Sequence, residues 1–88
     1  MDLDVRRKRA LWRANHRGTK EADLVIGGFA ARHLESMDEP ALAWFELLLE
    51  EQDVDILAWA FGTAAPPPAL CGPLMDRLVA LDYVTISR

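Results

Sequence analysis

Apolar residues recur every three or four positions along most of this chain, the period of helices with one buried face. A first helix is expected from about Asp4 to Asn15, with Asp2 or Asp4 as its cap. Its stripe of Leu3, Val5, Ala10, Leu11, Trp12 and Ala14 is narrow, so it should pack by one edge. Gly18 should end it, and Thr19 should cap a second helix, roughly Lys20 to His33. That helix offers a broad apolar surface of Leu24, Val25, Ile26, Phe29, Ala30, Ala31 and Leu34. Gly27 and Gly28 each weaken it by about 1 kcal/mol relative to alanine. They are expected to admit a close neighbour.

Asp38, followed by Glu39-Pro40, marks the start of a third helix running to about Glu51. Leu42, Phe45, Leu48 and Leu49 share one face of it, with Trp44 beside them. Asp53 is expected to cap a fourth helix through about Phe61, with Val54, Leu57 and Phe61 as its inner edge and Ile56 and Trp59 flanking it. Gly62 ends that helix. TAAPPPA (63–69) is a stiff, extended connection. Pro73 to Leu81 forms a last helix, with Leu74, Leu78 and Leu81 in step. DYVTISR is expected to be an extended tail packed through Tyr83 and Ile86. The pattern gives an all-α fold, a small antiparallel bundle of about five short helices. Residues 1–62 form its core, and 63–88 add the proline-rich linker, last helix and tail of the same domain.

The 88 residues suit one small domain, and 51% apolar with 27% charged is ordinary globular usage. No apolar run is long enough to span a bilayer, and MDLDVRRKR lacks the character of a signal or transit peptide. One cysteine, Cys71, suits a reducing compartment. These features point to a soluble cytoplasmic protein without membrane insertion, or to a mature form already stripped of a targeting sequence. The net charge of −4 conceals an asymmetry, because eight of the ten cations precede Glu35. Every formal charge from Glu35 to Asp55 is negative. Opposite faces of this kind suit an electrostatically steered partner, or simply a solvated surface.

Little in the composition supports catalysis. Two histidines and one cysteine show no metal-ligand spacing. Cys71, between apolar residues and a Gly-Pro turn, reads as a packed, inert thiol. No phosphate-cradling glycine loop is present. RRKRALWR has the residue types of a nucleic-acid surface. A binder of nucleic acid or a general interaction module is therefore the alternative function, although the acidic third and fourth helices would repel a duplex. Trp12, Trp44 and Trp59 are expected in the core or half-buried. His33 is expected as a surface residue favoured by a helix dipole, and Glu46, Glu50 and Glu51 as a solvated face.

The joint HRGTKEAD (16–23) is the unusual stretch. Arg17 and Glu21 could pair across the Gly18 turn as a local clasp. Alternatively, the elbow could project both groups outward to dock on another protein, for which arginine's bidentate geometry is suited.

Arg17-Gly18-Thr19-Lys20-Glu21 resembles the Arg-Gly-x-x-Glu signature of the succinate dehydrogenase assembly factors, the flavinators. HRGTKEAD is similar to the version in alphaproteobacterial members. DLVIGGFA resembles the family's second helix. LLLEEQDVDILAWAFG resembles its third-to-fourth joint, with Asp53, Asp55 and Trp59 at the usual Asp-x-Asp-x-x-x-Trp spacing. Gly28 and Ala22 stand where the family has larger residues. The resemblance implies an assembly factor of the bacterial cytoplasm, not an enzyme. It would form a transient 1:1 complex with the flavoprotein subunit of succinate dehydrogenase, with fumarate reductase as a further client. It would promote covalent FAD attachment to a histidine of that subunit. No cofactor would be held tightly by the factor itself. Arg17, Gly18 and Glu21 would form the contact elbow, with His16, Thr19, Lys20 and Asp23 at neighbouring motif positions. Arg9 and Arg13 extend that surface by charge and helical spacing.

Overall fold

The computed structural model describes residues 2–84. Helix α1 spans Leu3–Ala14 and is capped by Asp2, whose carboxylate accepts from the Val5 amide at 2.8 Å. The second helical stretch, α2, is composite. It joins an α-turn at Lys20–Ala22, a π-helical segment at Asp23–Gly27, an α-segment at Gly28–His33 and a 3-10 turn at Leu34–Ser36. Thr19 caps it through the Ala22 amide at 3.2 Å. Helix α3, Glu39–Leu49, starts at the Asp38 cap with Pro40 in its first turn. Helix α4 is Asp53–Ala60, and α5 is Pro73–Ala80.

The contacts give the direction of each helix. Along α1 and α2, Ala14 and Asn15 lie against Gly27, while Asp4 and Lys8 lie near Leu34 and Glu35. These two helices therefore run antiparallel. Along α1 and α3 the numbers rise together, from Arg6 with Glu39 and Glu46 to Arg13 with Glu50. The first three helices are thus an up-down-up arrangement. Among the described residues every regular element is helical, as the apolar period requires.

Phe29 of α2 sits at the centre of the core, fully buried. Its ring lies 5.8 Å from Phe45, 6.0 Å from Trp44 and 5.4 Å from Tyr83, the last edge-on. Full burial of a side chain such as Phe29 or Phe45 contributes about 1.5–3 kcal/mol. The two glycines of α2 do admit close neighbours. A Cβ at Gly27 would stand 2.5 Å from the Asn15 side-chain oxygen and 3.3 Å from the Ala14 carbonyl. At Gly28 it would touch the Tyr83 ring at 3.4 Å, so the missing side chain is replaced by a tail aromatic. The buried Tyr83 hydroxyl donates to the Leu78 carbonyl at 2.7 Å. Ile86, the other residue expected to pack the tail, lies outside the described residues. The proline stretch is fastened too, because Leu70 is buried and its carbonyl accepts from the Trp44 indole at 2.8 Å.

Several expectations are corrected. The buried residues of α4 are Ile56 and Ala60, with Val54 and Phe61 exposed. Which side of this short helix faces inward is set by its neighbours, and apolar positions almost all round it cannot reveal that. In α5, Met75 and Leu78 are buried, with Leu74 and Leu81 at the margin. Cys71 is exposed, its thiol directed at the Pro66 and Pro67 carbonyls. His33, expected at the surface, is half-buried. It packs on Phe29 and near Tyr83, and its Nε2 is buried without a partner among the described residues. Desolvation, helped by Arg77 and Arg32, holds it below the ordinary histidine value. Trp44 and Trp59 are half-buried, but Trp12 is 63% exposed.

Candidate functional site

The elbow expected at residues 16–23 is present, but its two charged ends part company. The backbone turns at Gly18 with φ +103°, a conformation costly for any residue with a Cβ. Beyond it, Glu21 is exposed in the first turn of α2. Before it, Arg17 folds back into the molecule, and its side chain is only 11% exposed. Neither the Arg17–Glu21 clasp nor the outward guanidinium is found. The physical reason is an alternative set of acceptors. Nε donates to Asp53 Oδ1 at 2.7 Å, Nη1 to the Leu49 carbonyl at 2.8 Å, and Nη2 to the Glu51 carbonyl at 2.8 Å.

Those acceptors are what helix ends leave unsatisfied. The last carbonyls of α3 have no partner within their own helix, and they form the negative end of its dipole. Asp53 opens α4, where a carboxylate is favoured by the positive end of that dipole. Asp53 was expected to be the α4 cap. It is instead the first helical residue, Gln52 holds the cap position, and the Asp53 carboxylate is turned to Arg17. One planar guanidinium therefore fastens the α1–α2 elbow to the α3–α4 turn, across 36 residues of sequence. Asp23 completes the clamp by accepting from the Arg17 amide at 2.8 Å.

Three arginines of α1 follow the same rule. Arg13 binds Glu50 and the Leu49 carbonyl. Arg6 binds Glu39 and Glu46, and these bonds hold the Glu46 carboxyl below the ordinary carboxylate range. Arg7 reaches Asp4 and the Met37 carbonyl. Glu46 and Glu50 are thus paired rather than simply solvated. The charge asymmetry of the sequence is largely an internal seam between α1 and α3. Of the cations that could have tracked a phosphate chain, Arg6, Arg7 and Arg13 are engaged, while Lys8, Arg9 and Lys20 remain exposed.

Outside the clamp stand His16, Gly18, Thr19, Lys20 and Glu21, all exposed. Trp12 joins them, a residue that composition had assigned to the interior. Its indole stacks on His16 with centroids 4.1 Å apart and planes 12° from parallel. The four-residue spacing of Trp12 and His16 on one helix face was the signal available in the sequence. His16 Nδ1 lies 2.6 Å from the Trp12 carbonyl, which can only accept, so Nδ1 carries the proton and Nε2 is the ring's free nitrogen. Trp12, Arg13, His16, Arg17, Gln52 and Asp53 line an open depression of about 450 Å³. Among the described residues no cluster of His, Cys, Asp and Glu could hold a metal ion. No described helix is long and apolar enough to cross a membrane.

The chain matches the family model described as flavinator of succinate dehydrogenase over residues 8–82, which includes the proline stretch and α5. It is 38% identical over 78 residues to the FAD assembly factor SdhE of Acetobacter pasteurianus, covering 89% of this chain and 72% of that protein. It is 43% identical over 58 residues to the mitochondrial succinate dehydrogenase assembly factor 2 of Saccharomyces cerevisiae, covering 66% of this chain and 36% of that one. The counterpart from Danio rerio is 36% identical over 78 residues, 86% of this chain and 49% of its own length. The chain thus spans half or less of these mitochondrial relatives and most of the bacterial one.

Proposed function

The chain belongs to the family of succinate dehydrogenase flavinators, and from that premise we propose that it docks on the flavoprotein subunit of succinate dehydrogenase and promotes covalent attachment of FAD there. It is an assembly factor, in keeping with the names of its relatives. The flavin it acts on is carried by the partner, and the factor holds no cofactor tightly of its own. The complex is transient and 1:1, formed in the bacterial cytoplasm.

One observation carries this reading. The two stretches that resemble the family, Arg-Gly-x-x-Glu and Asp-x-Asp-x-x-x-Trp, are bonded to each other through Arg17 and Asp53. The motif is therefore one rigid feature, not two. Gly18 and Glu21, with His16, Thr19 and Lys20, form the contact surface, and Arg9 and Trp12 extend it along α1. Arg17, Asp23 and Arg13 hold that surface in place from behind. The bond-making chemistry belongs to the flavoprotein and its FAD. The factor contributes by stabilising the flavoprotein conformation in which the flavin ring meets its acceptor histidine. Positioning alone can remove several kcal/mol from a barrier.

The test is co-production of the flavoprotein with wild-type factor, Gly18→Arg or Glu21→Ala. Covalent flavin is read as fluorescence of the denatured flavoprotein on a gel. Loss of most covalent flavin with both folded variants is expected. Full flavinylation by both at wild-type factor levels would rule the reading out.

A further inference from the structure

The Arg-Gly-x-x-Glu elbow has a second side, away from Trp12 and His16. There Glu21, Leu24 and Val25 of α2 meet Phe61 at the end of α4, with Leu81 and Val84 after α5, around a cleft of about 160 Å³. Its walls are hydrocarbon, with Glu21 as the single charged group. Leu24 and Phe61 remain 45% and 54% exposed. Leu81 takes φ +57°, an uncommon left-handed conformation for a bulky side chain. That conformation closes α5, with the Leu81 amide donating to the Leu78 carbonyl, and it turns the chain so that Leu81 and Val84 line the cleft.

We propose that this cleft receives one apolar side chain of the flavoprotein, flanked by a cationic side chain that pairs with Glu21. The inference rests on the docking function proposed above and names the chemistry of the partner segment. Size argues for a side chain rather than a cofactor, since a cavity of about 150 Å³ holds no more than a benzene ring. Charge argues for a cation beside it. Glu21 is exposed, and among the described residues no cation lies within ion-pair distance of it. Place argues for the same partner, because Glu21 belongs both to the elbow and to the cleft rim. An apolar anchor in a desolvated pocket beside a charged rim is how interfaces concentrate binding energy in a few residues.

The experiment is calorimetric titration of the purified flavoprotein subunit with full-length factor. The variants are Leu24→Asp, Phe61→Asp, Glu21→Gln, Gly18→Arg and, on the outer side of α3, Leu47→Asp. Thermal melts check folding, which the exposure of Leu24 and Phe61 should preserve. Leu24→Asp and Phe61→Asp are expected to weaken Kd by about tenfold or more, the mark of an anchor position. Leu47→Asp should leave Kd unchanged. Glu21→Gln should weaken binding at low salt and flatten its salt dependence. Wild-type Kd for folded Leu24→Asp and Phe61→Asp, with binding abolished by Gly18→Arg, would overturn the cleft while leaving the docking function intact. Absence of binding by the wild-type factor would overturn both.

Discussion

The seam between α1 and α3 and the face beyond Gly18 use the same residue types and end in opposite states. On the inner side, Arg6 finds two carboxylates of this same chain, and Arg13 and Arg17 each find a carboxylate and backbone carbonyls at the end of α3. Beyond Gly18, Lys20 and Glu21 stay exposed, and Leu24 and Phe61 leave a cleft open. The difference teaches where recognition can reside. A cation whose donors are spent on three internal acceptors has little left for a partner. An exposed carboxylate beside open hydrocarbon still has its interactions to make.

The seam breaks most severely at Arg17. Arg17→Ala leaves Asp53 and the Glu51 carbonyl without their donor and the Leu49 carbonyl with Arg13 alone, and loss of one member of a largely buried pair costs about 3–5 kcal/mol. A urea unfolding curve should show this as a lower midpoint with an unchanged slope. On the face, Gly18→Ala should cost about 1–2 kcal/mol. No atom lies within 4 Å of the missing Cβ, so the cost is purely the positive φ. Gly18→Val should cost clearly more, because a β-branched side chain tolerates positive φ least of all even where nothing crowds it.

Acid sharpens the contrast. Glu46 is held below its ordinary value of 4.5 by the Arg6 hydrogen bond, so the unfolded chain binds protons first. The stability it supplies is complete above about pH 4.5 and falls away as pH drops through the lower folded value. Glu46→Gln should flatten that part of the acid limb. His33 acts in a higher window and away from the seam. Its folded value is depressed below 6.5 by burial, so its contribution is complete above pH 6.5 and declines as pH falls. His33→Gln should remove that dependence in melts between pH 7 and pH 5. Smallest of all, Cys71→Ser should shift stability by less than about 0.5 kcal/mol. The exposed thiol should react with iodoacetamide in the native protein.

The helices were legible because their evidence is local. Asp2, Thr19 and Asp38 cap where side-chain chemistry places them, and Leu42, Phe45, Leu48 and Leu49 share the face that their spacing gives. The roll of α4 was not legible, since Val54, Ile56, Leu57, Trp59 and Phe61 surround a helix this short almost completely. The site was legible as a location, through Gly18 and the residues on either side of it. The direction of Arg17 was hidden because its acceptors are two backbone carbonyls and an aspartate that lie 32 to 36 residues away. Backbone carbonyls carry no signature in sequence. Trp12 misled for a different reason: its apolar area argues for burial, and only its stacking on His16 explains its place at the surface.

The claim that most needs testing is that Arg17 acts by gripping Asp53 and the α3–α4 turn, not by touching the flavoprotein. A double-mutant cycle on covalent flavin content tests it, using Arg17→Ala, Asp53→Ala and the double variant co-produced with the flavoprotein at equal factor levels. Each single variant should lower flavinylation, and the double should be scarcely worse than Arg17→Ala, because the two residues act as one unit. Full flavinylation with Asp53→Ala beside complete loss with a folded Arg17→Ala would contradict the account and place Arg17 in the interface itself.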